Sequence, residues 1–298
     1  MVRASIVIPA FNEEKNLARL LPQIMAQLRP DDEVLVVDNA SLDSTSSVAK
    51  SLNAKVVPES YRGRGRARNA GFKHARGQYV VFLDADCFPQ KDWLQHLLEP
   101  FVDSTVGCVG GEIINAEVDT PLGKYLAAKG HLSQRVTFAH SFLPFAQTGN
   151  VAFRRCVIED IGAFDDEMTE GEDADLCWRM QLETAYRLVF SERAVVHHAH
   201  DLSPRMFLRQ KRRHAYGAVL LYKKYRSRWQ VEPMTFKRMY WEYRSIVRRS
   251  LDFGLRKVLA RAGLSTEPKR EQGFQLLVEI GEKWGRIEGA IRHRVWFV

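Results

Sequence analysis

The sequence predicts an α/β protein: a Rossmann-like, mixed but mostly parallel sheet flanked by helices, followed by a C-terminal helical extension. Three observations predict it. Short apolar, strand-like runs alternate with helical patterns up to about residue 115, and beyond residue 203 only long amphipathic patterns remain. The charge changes sign near the same boundary: residues 1–200 carry 21 Lys and Arg against 27 Asp and Glu, residues 201–298 carry 23 against 9.

SIVIPAF (5–11) reads as a strand, and NLARLLPQIMAQL (16–28) places apolar residues at helical spacing. EVLVVDNAS (33–41), a helix over 43–52, the short strand AKVVPE (54–59), a helix ending near Arg76-Gly77 and the strand QYVVFLDAD (78–86) complete a βαβαβαβ order. Right-handed crossovers make such a sheet parallel, and ligands collect beyond the carboxyl ends of its strands. Further along, the pattern predicts a helix over 90–102, a strand over 106–114, helical structure over 121–136 and a strand over 147–153. Amphipathic segments at 204–227, 234–262 and 272–294 are separated by breaks at Pro233 and near Pro268.

A chain of 298 residues accommodates one large domain or a domain with an appendage. Cys87, Cys108, Cys156 and Cys177 are far apart and form no CxxC or Cys/His cluster, so they read as buried thiols in a reducing cytosol. MVRASIVIPAF enters a strand without a basic n-region or cleavage site, so no signal peptide is expected. The apolar runs fall short of the roughly 18 residues a spanning helix needs. The expected location is cytoplasmic, with at most peripheral attachment to the inner face of the cell membrane. The basic back third implies an anionic partner: phospholipid, nucleic acid or a phosphorylated acceptor.

Asp84-Ala85-Asp86 is the strongest local signal. Two carboxylates just past a buried strand are spaced to approach one divalent cation, directly or through water, and hard oxygen ligands suit Mn²⁺ or Mg²⁺. Such an ion would bridge the phosphates of a nucleotide sugar and neutralise the leaving group. Alone, the same triplet also fits a solvated turn.

Its context is more specific. IVIPAFNEE (6–14), VVDNASLDST (36–45) and RGRGRARNAGFKHARGQYVVFLDAD (62–86), in this order, resemble the nucleotide-binding half of a family 2 glycosyltransferase with the GT-A fold. QTGNVAFRR (147–155) resembles that family's acceptor-side strand, and EGEDADLCWRM (170–180) its Glu-Asp catalytic motif. The resemblance spans about residues 4–210. It implies a GT-A catalytic domain at 1–202, with the nucleotide-sugar half at about 1–115 and the acceptor half at about 116–202, and a basic helical extension at 203–298.

The resemblance also implies roles. Pro9, Ala10 and Phe11 hold a flat base, Asp38 and Asn39 contact base and ribose, and Glu13 either bonds a ribose hydroxyl or caps the next helix. Asn39 departs from the family's frequent Asp-Asp. Asp43 and Thr45 read as helix-start residues. Arg62, Arg64, Arg66 and Arg68 stand in a positive, glycine-containing loop able to close on a diphosphate, and Arg68 matches the family's Arg-Asn pair. Asp84, Ala85 and Asp86 complete the donor site, while Gly149 and Asn150 lie on the acceptor side. Asp173 is the implied general base of an inverting displacement. Glu172 either tunes it by its charge or holds acceptor or loop. Asp175 and Arg179, four apart on a helix, read as a surface ion pair. Among His197, His198 and His200, His198 is expected to join Asp84 and Asp86 at the metal. Gln210, Arg213 and His214 resemble a Gln-x-x-Arg-Trp element, but His214 replaces the tryptophan, so no processive-polymerase role is assigned.

Basic helices interspersed with aromatics such as Tyr222, Trp241 and Trp284 fit an anionic membrane surface, and with it a lipid-linked acceptor hydroxyl. Packing on the rest of the chain or homodimerisation fits as well. Two other classes were weighed. A sugar-nucleotide nucleotidyltransferase requires a basic glycine-rich loop where PAFNEE stands; a nucleic-acid-binding protein leaves the acidic front half unexplained.

Overall fold

The computed structural model describes residues 2–116, 119–199, 202–229, 236–262 and 264–297. In chain order the elements are β1 (Ala4–Ala10), α1 (Glu14–Met25), β2 (Asp32–Asp38), α2 (Thr45–Ser51), β3 (Lys55–Pro58), α3 (Arg64–His74), β4 (Tyr79–Leu83), β5 (Cys87–Pro89), α4 (Trp93–Leu98), β6 (Val106–Asn115), α5 (Pro121–Ala128), α6 (Gln134–Phe138), β7 (Asn150–Arg154), α7 (Arg155–Ile161), α8 (Glu172–Glu183), β8 (Arg187–His198), α9 (Pro204–Tyr225), α10 (Phe236–Arg261) and α11 (Arg270–His293). They form two compact units, Met1–Ala116 with Gly130–His200, and Glu117–Lys129 with Asp201–Val298.

The first unit is built on an eight-stranded sheet in the order β3-β2-β1-β4-β7-β6-β8-β5. β1 pairs in parallel with β2 and β4, β2 with β3, and β6 with β8, while β7 runs antiparallel to β4 and β6, and β5 to β8. Alternation along each central strand fills both faces: Ile6, Ile8, Val34, Val36, Val81 and Leu83 enter one core with Leu17, Leu21 and Trp93. Val7, Leu35, Val37, Val80 and Phe82 enter the other with Ala67, Val157 and Leu176. That two-sided burial is why the strands read as continuous apolar runs. Helix α3 lies so close to the sheet that a Cβ on Gly71 would stand 2.2 Å from Val7 Cγ1.

Two details differ from the sequence expectation. The segment expected to be an arginine-rich loop is mostly helix, since α3 begins at Arg64 and contains Gly65, Arg66 and Arg68; Gly63, at φ 155°, turns the chain into it. The three-residue strand β5, directly after Asp86, was not expected. Its apolar run is too short to carry a period.

The second unit gathers α5, α9, α10 and α11. Leu122, Tyr125, Leu126, Leu202 and Phe207 pack with Phe274, Leu277 and Val278. Residues 117–129 group here, where the apolar face of α5 is buried in this cluster. Gly281, Gly285 and Gly289, four apart, line the face of α11 against α9, where a Cβ on Gly285 would stand 2.0 Å from the Arg212 carbonyl oxygen. Arg212 in turn holds Glu288 through two bonds of 2.7 and 2.9 Å. The break at Pro233 and the side chain of His200 lie outside the described residues.

Candidate active site

β1, β2 and β4 are parallel, so their carboxyl ends open on one edge of the sheet, and each ends in a short loop there. The loops after β1 and β2 are stapled together. Asn12 N donates to Ser41 Oγ (3.0 Å), Leu42 N to Asn12 Oδ1 (2.8 Å), and Glu13 N to Thr45 Oγ1 (2.8 Å). Asn12 and Ala40 adopt left-handed backbone, φ 57° and 60°, the kind of strain that persists where surrounding contacts over-determine a loop.

Pro9 and Ala10 finish β1. The half-exposed ring of Phe11 carries the Arg62 guanidinium 3.9 Å above its centroid, a cation–π contact. Glu13 occupies the N-cap position of α1 but makes no capping bond; its carboxylate accepts from Asn16 Nδ2 at 2.6 Å. Burial raises its pKa, and the charges of Asp86, Asp43 and Asp84 add to this, against that hydrogen bond. Burial also pushes Asp38 up, yet hydrogen bonds from Ser41 and Ser46 outweigh it and hold the carboxyl below its ordinary value. Asp43 accepts from Thr45 N, starting α2 as expected.

Asn39 is buried and fully engaged. Its Nδ2 donates to the carbonyls of Glu59 and Tyr61, and its Oδ1 accepts from Gly63 N. Both groups therefore shape the 59–63 turn, a structural role beside the base contact expected from the sequence. The same holds for Asn150, expected on the acceptor side: Oδ1 accepts from Trp93 Nε1 (2.8 Å) and Nδ2 donates to the carbonyls of Glu112 (3.0 Å) and Ala194 (2.8 Å). Gly149 lies near the DAD triplet: a Cβ there would stand 3.5 Å from Asp84 Oδ2.

Arg68, expected on a loop against a diphosphate, is 1% exposed. Its Nη2 donates to Asp84 Oδ1 (2.8 Å) and its Nη1 to Glu172 Oε1 (3.1 Å), while Nε finds no acceptor among the described residues. The more exposed Arg64 pairs with Glu170 (3.0 Å) and stands 3.9 Å from Glu172. Asn69, next to Arg68, clamps the loop before α8 by bonding both backbone groups of Phe164 and the Asp166 carboxylate. Asp175 and Arg179 are no surface pair: Asp175 is wholly buried, and Arg179 spans from it to the carbonyls of Ile161, Gly162 and Ala163. These clamps fix the start of α8, where Glu172 and Asp173 sit. Desolvation, joined by the Glu172 charge, pushes the Asp173 carboxyl up to about 7.

β5 brings the remaining pieces together. Its antiparallel register places Cys87 opposite His198 and Phe88 opposite His197, so the two histidines face opposite ways. His197 Nε2 lies 2.8 Å from Gln90 Nε2, whereas His198 Nε2 lies 3.3 Å from Asp86 Oδ2. Ligand atoms of Asp86, Cys87 and His198 fall within 4.8 Å of one another. Desolvation and the charges of Asp86 and Asp84 raise the pKa of the buried Cys87 thiol, and the Asp86 carboxylate and His198 imidazole stand beside it. That oxygen and nitrogen set fits a hard to borderline divalent ion. Cys87 was not singled out from the sequence as part of this cluster; only the pairing of β5 with β8 reveals it.

Over residues 5–162 the chain matches Glycosyl transferase family 2. It is 32% identical over 216 residues to the Pre-mycofactocin glycosyltransferase of Mycobacterium tuberculosis, covering 70% of this chain and 45% of that one. It is 30% identical over 198 residues to Glycosyltransferase AglE of Haloferax volcanii, covering 63% and 64%. The chain thus spans about half to two thirds of the length of these relatives. Among solved structures, the mannosyltransferase PcManGT from Pyrobaculum calidifontis in complex with GDP-Man and Mn²⁺ matches with a TM-score of 0.66 at 20% identity, over 96% of this chain and 86% of that one. Glucosyl-3-phosphoglycerate synthase from Mycobacterium tuberculosis in complex with Mn²⁺, UDP and phosphoglyceric acid matches with 0.56 at 19%, over 74% and 78%. The fold is that of GT-A glycosyltransferases. The chain belongs to glycosyl transferase family 2.

Proposed function

We propose that this chain transfers a sugar from a nucleotide-sugar donor to an acceptor hydroxyl with inversion, aided by a divalent cation. One observation supports the proposal: Arg68 ties Asp84 of the DAD triplet to Glu172 of the GED motif, next to the proposed base Asp173. Asp86 and His198, with Asp84 beside them, would hold Mn²⁺ or Mg²⁺, and the ion when bound would neutralise charge on the departing diphosphate. The stapled loops after β1 and β2, with Pro9, Ala10, Phe11, Glu13 and Asp38, form the slot for the nucleoside. Asp173, titrating near neutrality, removes the proton from the acceptor hydroxyl as its oxygen attacks the anomeric carbon opposite the leaving group. Glu172 and Arg64 hold that carboxylate's electrostatic environment in place. In this reading the first unit binds donor and acceptor. The second, carrying the basic sequence, meets an anionic surface and favours a lipid-linked or glycan-precursor acceptor.

The test is nucleoside diphosphate release from a panel of UDP-, GDP- and dTDP-sugars with Mn²⁺, the anomeric configuration of the product being read by NMR. One donor series is expected to turn over with inversion, and Asp173→Asn to slow it about 10²–10⁴-fold. Turnover of no donor by folded protein, or an unimpaired Asp173→Asn variant, would contradict the proposal.

A further inference from the structure

We infer that helix α10 lies in the plane of an anionic lipid surface and docks on it through one apolar stripe. The inference builds on the proposed attachment of the basic unit and assigns it to a place.

α10 has two distinct faces. The inner one is tied to α11: Arg249 donates to both oxygens of Glu279, Lys283 to Glu242, and the Phe253 ring fills the space above Gly273. On the opposite side Tyr240, Val247, Leu251, Leu255 and Val258 recur at helical spacing and are 57%, 58%, 69%, 58% and 62% exposed. A Cβ on Gly254, beside them, would meet nothing within 4 Å. The stripe extends about 27 Å along the helix. Within the described residues of the second unit, α11 covers the inner face of α10 and leaves this one exposed.

Charge decides between the remaining occupants. α10 carries eight Lys and Arg against two Asp and Glu; the exposed Arg244 lies in the stripe between Tyr240 and Val247, and the exposed Arg248 borders it. A two-fold pairing of two copies through this face would bring these arginines of both copies together. An anionic bilayer accepts both features, with apolar side chains entering the headgroup boundary and arginine heads staying at the phosphates. Trp241, 54% exposed at the stripe's edge, is the residue type that favours that boundary. No helix among the described residues is long and apolar enough to cross a membrane, so the contact lies in the plane of the interface.

The experiment is flotation of the full chain with phosphatidylcholine vesicles, with and without phosphatidylglycerol, comparing wild type, Leu251→Asp/Leu255→Asp and Arg244→Glu/Arg248→Glu. Light scattering gives the oligomeric state, and nucleoside diphosphate release reports the first unit. Wild type is expected to float with the anionic vesicles only. Both variants should lose at least roughly tenfold in bound fraction, each basic residue being worth about fivefold in partitioning, with melting point and donor turnover unchanged. Wild-type flotation that both variants match would overturn the role of α10 while leaving the basic unit's attachment standing. Absence of wild-type flotation would overturn both. A wild-type dimer that the Leu251→Asp/Leu255→Asp variant dissociates would assign the stripe to a second copy instead.

Discussion

Asp84 and Glu172 share one guanidinium: Arg68 reaches Asp84 at 2.8 Å and Glu172 at 3.1 Å. The residue that the sequence placed on a mobile loop against a diphosphate is instead a buried strut. It joins the loop after β4 to the start of α8, and its charge also lowers the pKa of the neighbouring Asp173.

Arg68→Ala removes the buried cation between Asp84 and Glu172. Unfolding free energy is expected to fall by about 3–5 kcal/mol, the usual cost of removing one partner from a buried ion pair. Urea unfolding measures it. Arg68→Lys keeps the charge but loses the planar fork that serves two acceptors, so it should recover stability only in part.

On the proposed mechanism, Asp173 should make activity pH-dependent. With its carboxyl raised to about 7, kcat/KM should climb as pH rises through that value, because only the ionised form accepts the acceptor's proton. Glu172→Gln removes a charge that helps raise it, so the midpoint should move down. Stability runs the other way. The folded chain keeps a proton that the unfolded chain releases near pH 4, so this group's contribution is full below that pH and is lost as pH rises towards 7. Asp173→Asn should flatten both profiles.

Asn150→Ala separates a structural role from an acceptor-binding one. The change orphans Trp93 Nε1 and the carbonyls of Glu112 and Ala194, each buried group costing about 1–3 kcal/mol. The unfolding midpoint should drop markedly. A stable variant with a raised acceptor KM would restore the role expected from the sequence.

Gly71→Ala tests how closely α3 approaches the sheet. The added methyl would collide with Val7 and Val37, so a loss of about 1–3 kcal/mol is expected in chemical unfolding despite alanine's better helix propensity.

Much of this was legible in the sequence, and the reasons are physical. The strands were found because both faces of the parallel region are buried, which leaves unbroken apolar runs such as IVI and YVVFL. Asp84, Asp86 and Asp173 stand out because strand ends and helix starts carry short, ordered motifs, and His198 because a strand ends there; their roles belong to the proposed function. What escaped depends on side-chain direction. Asn39 and Asn150 have ligand-like amides, yet the fold spends every group of both on its own backbone and on Trp93. Arg68 and the Asp175–Arg179 pair sit in segments that read as loop or solvent face, and only the packing of α3 and α8 against the sheet buries them. The Asp86–His198 contact rests on β5, three residues that carry no periodic signal.

The most direct test of the account is the thermal shift produced by UDP, GDP and dTDP with and without Mn²⁺ or Mg²⁺, on wild type and on Asp86→Ala and His198→Ala. The account predicts stabilisation by one nucleotide series only when the metal is present, abolished in Asp86→Ala and weakened in His198→Ala. Equal stabilisation without metal, or a metal-dependent shift that both variants retain, would contradict it.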